Sequence, residues 1–210
     1  MHGLIERFYK GELGGHQLLH NYLAEFRKNV PEPAPSYQIF KHYFTDGVNY
    51  LRDFKPLPFR MIDVEKQINM EIDGVPFTGW IDFLGEDDDG LVIIDNKSRL
   101  LKPRSKREKP TKSDVELDEY LRQLYLYAIA IQKEYGRRPE KLGFNCFRKE
   151  EPLIIERYTT VREEEAKQWF FENISYIERE REYKPKMDFF KCKHLCDMRD
   201  HCEFFEMTWG

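Results

Sequence analysis

The strongest chemical signal in the chain is Asp95-Asn96-Lys97, which closes the apolar run Leu91-Val-Ile-Ile94. Side chains alternate across a strand, so a strand over 91–97 turns Asp95 and Lys97 to one face. A lone Asp-x-Lys is ordinarily a surface ion pair. A second carboxylate changes that balance. Gly79-Trp-Ile-Asp82 falls in the preceding strand, and the acidic turn Glu86–Gly90 is short enough for an antiparallel return. Two carboxylates brought together repel unless a cation lies between them, and oxygen ligands of this kind suit Mg²⁺ or Mn²⁺. Asp82 and Asp95 are thus candidate metal ligands and catalytic residues, with the Asn96 backbone carbonyl as a further ligand. An ion held there would activate water and neutralise charge on a phosphodiester. Lys97 would position the attacking water or steady the developing charge.

Two further groups could assist. Gln123 and Tyr127 are four residues apart and share a helix face, from which they could reach the site. Taken alone, the pair reads as ordinary helix packing. The run from Lys97 to Lys112 carries eight cations against the single acid Glu108. Such a run is usually a solvated loop. Placed directly after the Asp-x-Lys strand, it offers Arg99, Lys102, Arg104, Lys106 and Arg107 for phosphate contact.

The elements that must position these residues follow from apolar spacing. Gly3 to Arg27 reads as helical with an interruption at Gly11, Gly14 and Gly15, and Pro31-Glu-Pro-Ala-Pro35 ends it. A second helix runs from Tyr37 to about Phe54. Strands are expected over Ile62–Ile72, Phe77–Leu84 and Leu91–Lys97, as an antiparallel meander with a turn at Asp73-Gly74. Ser113-Asp-Val-Glu116 resembles a helix start, and the apolar face continues to about Tyr135. Strands over Lys141–Phe147 and Leu153–Tyr158 follow. Thr160 can cap a last helix from Val161 to about Tyr183. Strands mixed with a helical crossover predict an α/β layer fold with a mixed sheet.

Composition sets the outer limits. The 210 residues carry a net charge of −4, which counts against an architectural DNA binder working through bulk positive charge. An aromatic fraction of 15% argues for a packed core. No uncharged apolar stretch is long enough to span a membrane, and the N-terminal residues show no secretion signal. Of four cysteines, Cys192, Cys196 and Cys202 crowd the C-terminal end, a pattern that in a cytoplasmic chain suggests metal or cluster binding. Cys146, inside a strand, reads as a small buried residue.

The ordered series Gly79-x-x-Asp82, Asp95-x-Lys97 and Gln123-x-x-x-Tyr127 resembles the PD-(D/E)XK nuclease superfamily, and within it the RecB-like branch that includes the CRISPR-adaptation exonucleases. The resemblance runs from about Met1 to Cys202. It implies a restriction-endonuclease-like α/β core with a mixed central sheet over 1–185 and a cysteine-bearing segment over 186–210. It also implies a Mg²⁺- or Mn²⁺-dependent deoxyribonuclease, acting as an exonuclease on DNA, with partners in recombination, replication or CRISPR machinery. A catalytically inactive DNA-binding module of the same fold is the alternative. In that branch an early-helix histidine adds a metal ligand; His2 is the candidate here, with Glu6 as a weaker accessory. The branch's histidine normally follows a cysteine-bearing segment, and this sequence begins at the motif, as an N-terminally shortened member would. Relatives combine such a cysteine with three C-terminal ones to hold a 4Fe-4S cluster. Cys192, Cys196 and Cys202 match the C-terminal three, with Zn²⁺ using His194 or His201 as the other option.

Overall fold

The computed structural model describes residues 1–30, 36–182, 185, 187–194, 196 and 198–205. The helix-ending run Pro31–Pro35 lies outside the described residues. Met1–Trp169 forms one compact unit and Phe170–Gly210 a second.

In the first unit, α1 (His2–Tyr9) and α2 (Gly15–Asn29) flank the glycine interruption, where Gly11 takes a φ of 74°. The expected second helix comes in pieces. α3 (Tyr37–Phe40) passes through a π turn at Lys41–Thr45 into α4 (Asp46–Arg52). Leu4, Ile5, Leu18, Tyr22, Leu51 and Phe147 are buried together where α1, α2 and α4 meet the end of the sheet.

The sheet has five strands in the order β1 (Arg60–Ile72), β2 (Val75–Asp87), β3 (Gly90–Lys97), β4 (Pro139–Cys146) and β5 (Leu153–Arg157). Only β3 and β4 are parallel; the other neighbours are antiparallel. A parallel pair needs a long crossover, and α5 (Lys112–Tyr135) supplies it. The β1–β2 hairpin turns through Asp73 and Gly74, with φ values of 48° and 83°. Two successive positive φ angles match the twist of the flanking strands, and Asp-Gly suits that demand. In β3, Leu91 to Ile94 are fully buried, as expected of a central strand covered on both faces.

α5 begins one residue before the expected Ser113. Thr111 is its N-cap, and Asp114 completes a reciprocal capping box. Gly136, at φ 70°, closes the helix in the left-handed conformation. The last helix, α6 (Thr160–Arg179), is preceded by Thr159, whose Oγ1 accepts the Arg162 N–H at 3.4 Å. The expected cap therefore falls one residue earlier than Thr160. In the second unit, α7 (Phe189–His194) precedes a 3₁₀ turn at Arg199–His201. Among the described residues no helix is long and apolar enough to cross a membrane.

Candidate active site

The β2–β3 ladder ends at the pair Phe83–Ile94. Continuing its register would set Asp82 opposite Asp95. Instead β3 parts from β2 there and continues along β4, with Asp95 level with Phe144 and Lys97 level with Cys146. The parting would orphan a backbone donor. Asp82 takes it: its Oδ2 accepts the Asn96 N–H at 2.7 Å. This bond draws the Asp82 carboxylate to the backbone of the Asp-x-Lys segment.

Asp95 is 6% exposed. Its Oδ2 forms an ion pair with Lys97 Nζ at 2.8 Å, buried away from solvent. Burial pushes the Asp95 carboxyl above the usual carboxylate range; Lys97 opposes the shift and Asp82 adds to it. Burial raises Asp82 likewise, against the Asn96 N–H and Lys97. The site thus holds two carboxylates whose charge the protein alone does not fully compensate, the condition that favours a bound cation.

His2 approaches from the N-terminus of α1, with Nδ1 3.6 Å from Asp82 Oδ2 and its ring edge-on to Phe147. Burial, first among several causes, lowers its basicity and favours the neutral imidazole that metals bind. Lys97 Nζ stands over the rings of Tyr120, at 5.2 Å, and Phe144. The Asn96 side chain reaches β4. Its Oδ1 accepts from Asn145 Nδ2 at 2.9 Å, and Asn145 also bonds the Tyr50 hydroxyl, so the Asn96 side chain locks β3 to β4.

Gln123 Nε2 donates to the Tyr127 hydroxyl at 2.5 Å, which also takes the Trp80 backbone N–H. Tyr127 is buried over Gly79, where an added Cβ would stand 2.6 Å from Cε1 of its ring. Gly79-x-x-Asp82 and Gln123-x-x-x-Tyr127 therefore form one packed assembly. The tyrosine seats on the glycine and pins the strand that carries the aspartate.

Two residues near the site carry no motif of their own. Tyr120 lies three before Gln123 and seven before Tyr127, a helical spacing that could have revealed it. Glu65 has no such sign. It sits on β1 at φ 49°, where the β1–β2 pairing skips the Glu65/Asp82 position, and its carboxyl is raised by burial and then by Asp82 and Glu6. A non-glycine residue at positive φ is costly and clusters at functional sites.

The basic loop divides. Arg104 turns inward to Asp118 and Glu156, with contacts of 2.6 Å to each, and so is committed to the protein rather than to solvent. Arg99 pairs with Glu116 and the Tyr120 hydroxyl. Lys102, Lys106 and Arg107 are exposed. Both ends of the loop are tied to Asp114, whose carboxylate accepts from Ser105 N and Oγ and from Thr111 N and Oγ1 at 2.6–2.7 Å. These bonds hold the Asp114 carboxyl well below the usual carboxylate pKa range, Ser105 contributing most.

Cys146 is buried within β4, as its place in the sequence suggests. In the second unit, Cys196 is exposed while Cys192 and Cys202 are half-buried, and all are free thiols. Among the described residues no group of three or more His, Cys, Asp or Glu is placed to hold a metal ion, at the tail or beside Asp82 and Asp95.

The sequence matches the PD-(D/E)XK nuclease superfamily over residues 1–203. The chain belongs to that superfamily. Its fold is similar to that of a solved structure from Eubacterium rectale named "Putative exonuclease", with a TM-score of 0.53 and 17% identity over 92% of this chain and 76% of the other. Among curated proteins, none matches. The resemblance drawn from three short motifs thus extends along nearly the whole chain, and the PD-(D/E)XK sheet is the one that brings Asp82, Asp95 and Lys97 together.

Proposed function

We propose that this PD-(D/E)XK protein is a divalent-metal-dependent DNA nuclease that hydrolyses phosphodiester bonds at DNA ends. The observation that carries the reading is the buried Asp95 carboxylate, ion-paired to Lys97, beside the Asp82 carboxylate that is bonded to the same strand segment. Asp82 and Asp95 would hold Mg²⁺ or Mn²⁺, with His2 alongside and water filling the remaining positions, as suits an ion that keeps part of its hydration. When bound, the ion would supply charge neutralisation at the phosphate and a more acidic water. Asp82 and Asp95 contribute the negative field that selects a cation. Lys97, braced by Tyr120 and Phe144, presents its ammonium where a phosphate oxygen gains charge. Asn96, Asn145 and Tyr50 keep the strand end from shifting under that load. Lys102, Lys106 and Arg107 supply sequence-independent phosphate attraction.

Among the described residues no group of three or more His, Cys, Asp or Glu converges, which favours a second reading, a non-cleaving DNA-binding module. Incubation of labelled single- and double-stranded DNA with Mn²⁺ separates the two. The nuclease reading predicts shortened products with wild type and none with Asp95→Ala. Intact DNA that is nonetheless shifted on a gel would establish the binding module instead.

A further inference from the structure

Trp80 is 50% exposed, although it stands between buried Gly79 and Ile81 on β2. It lies on the open side of the hairpin with Thr78 and Pro76, across from Gln67. Its backbone is held: the N–H donates to the Tyr127 hydroxyl, which Gln123 also engages, and the next ring of the assembly, Tyr127, is locked over Gly79. Among the described residues its indole has neither a ring partner nor a hydrogen bond. Trp80 precedes Asp82 by two positions on β2, which sets their backbones about 7 Å apart along the strand. A large flat ring on a fixed backbone, left in solvent one strand repeat from the metal-binding carboxylate, has no role in the core.

Resting on the nuclease reading of the same site, we infer that Trp80 is a stacking platform for an unpaired DNA base next to the scissile phosphate. Stacking suits a substrate of any sequence, because each base offers a π face. It also selects single strands or frayed ends, since a base inside a duplex already has its faces covered. The Gln123–Tyr127–Gly79 assembly then does two things. It fixes Asp82, and it fixes the ring that sets where the strand lies relative to Asp82.

The test measures binding by fluorescence anisotropy in EDTA, with fluorescein-labelled single-stranded oligothymidylate and a blunt duplex as probes. Wild type, Trp80→Ala and Trp80→Phe are compared, together with oligonucleotides carrying one abasic site at successive positions. The expected result is a loss of roughly five- to one-hundred-fold in single-strand affinity for Trp80→Ala. Trp80→Phe should restore most of it, and duplex binding should change less than about twofold. One abasic position should bring wild type and Trp80→Ala level. Equal affinity of Trp80→Ala and wild type for the single strand overturns the inference, as does a loss that is the same on duplex and at every abasic position. Wild type that binds through Trp80 but cuts nothing with Mg²⁺ or Mn²⁺ removes the nuclease reading and leaves the platform. Wild type that cuts while Trp80→Ala binds equally well removes the platform and leaves the nuclease.

Discussion

Under the proposed nuclease reading, Asp95 is the residue at which fold stability and activity pull in opposite directions. Its carboxyl is raised by burial despite the Lys97 ammonium, so the folded chain favours its protonated form. A raised carboxylate costs stability above its folded pKa and nothing below the unfolded one. Metal-free Asp95→Asn should therefore melt higher than wild type at pH 8, by about 2–4 °C if the relief is near 1 kcal/mol. The gap should close as the pH falls into the carboxylate range. Differential scanning fluorimetry in EDTA across pH reads both effects. On the proposed metal-dependent reading, activity should follow the same titration with the opposite sign, since protons would compete with the cation for Asp82 and Asp95. Cleavage should fall as pH falls, starting above the ordinary carboxylate range of about 4. Raising Mn²⁺ should move that acid limb to lower pH; an acid limb indifferent to Mn²⁺ would place the titrating group elsewhere. Residue types and the two-residue alternation made Asp82, Asp95 and Lys97 legible in the sequence. Glu65 was not legible, because its place in the site depends on a φ of 49° that no spacing announces.

At the scale of elements, the site depends on helix–strand seating. Gly79 accepts the Tyr127 ring because it has no Cβ, and an alanine there would press on the body of a buried ring. Gly79→Ala should destabilise the protein by about 1–3 kcal/mol, the range for overpacked cores. Adding Tyr127→Ala should recover part of that loss, whereas Tyr127→Ala with Gly79 intact should destabilise by leaving a cavity. A chemical-denaturation cycle over the four proteins measures the coupling; additive effects would mean the two motifs are not packed on one another. The mouth of the basic loop rests on Asp114 in the same way. Its acidity is enhanced by Ser105 and Thr111, so it stabilises at neutral pH and ceases to do so as pH falls through its lowered folded pKa. Wild type should be more stable than Asp114→Asn at pH 7, with the difference shrinking below about pH 4. Helices and strands here were readable from apolar periodicity and the Asp73-Gly74 turn. The π turn at Lys41–Thr45 was not, since it leaves the apolar spacing of a helix nearly unchanged.

For the molecule as a whole, a net charge of −4 coexists with a cationic loop at the end of β3. Electrostatic attraction is therefore local, and only those cations left free by the fold can supply it. Replacing Lys106 and Arg107 by alanine should reduce the salt dependence of single-strand binding by about 1.4 in log–log slope, near 0.7 for each phosphate no longer neutralised. Arg104→Ala should leave that slope unchanged and lower thermal stability, because its guanidinium serves Asp118 and Glu156. Sequence charge alone could not separate these arginines, as the partners of Arg104 come from α5 and β5, 14 and 52 residues away. The central claim is that Asp82 and Asp95 share one divalent cation. Titration of Mn²⁺ by electron paramagnetic resonance, with wild type, Asp82→Asn, Asp95→Asn and the double variant, addresses it most directly. Each single substitution should abolish the tight site as completely as the double one does. Retention of wild-type Mn²⁺ affinity in Asp95→Asn would contradict the claim.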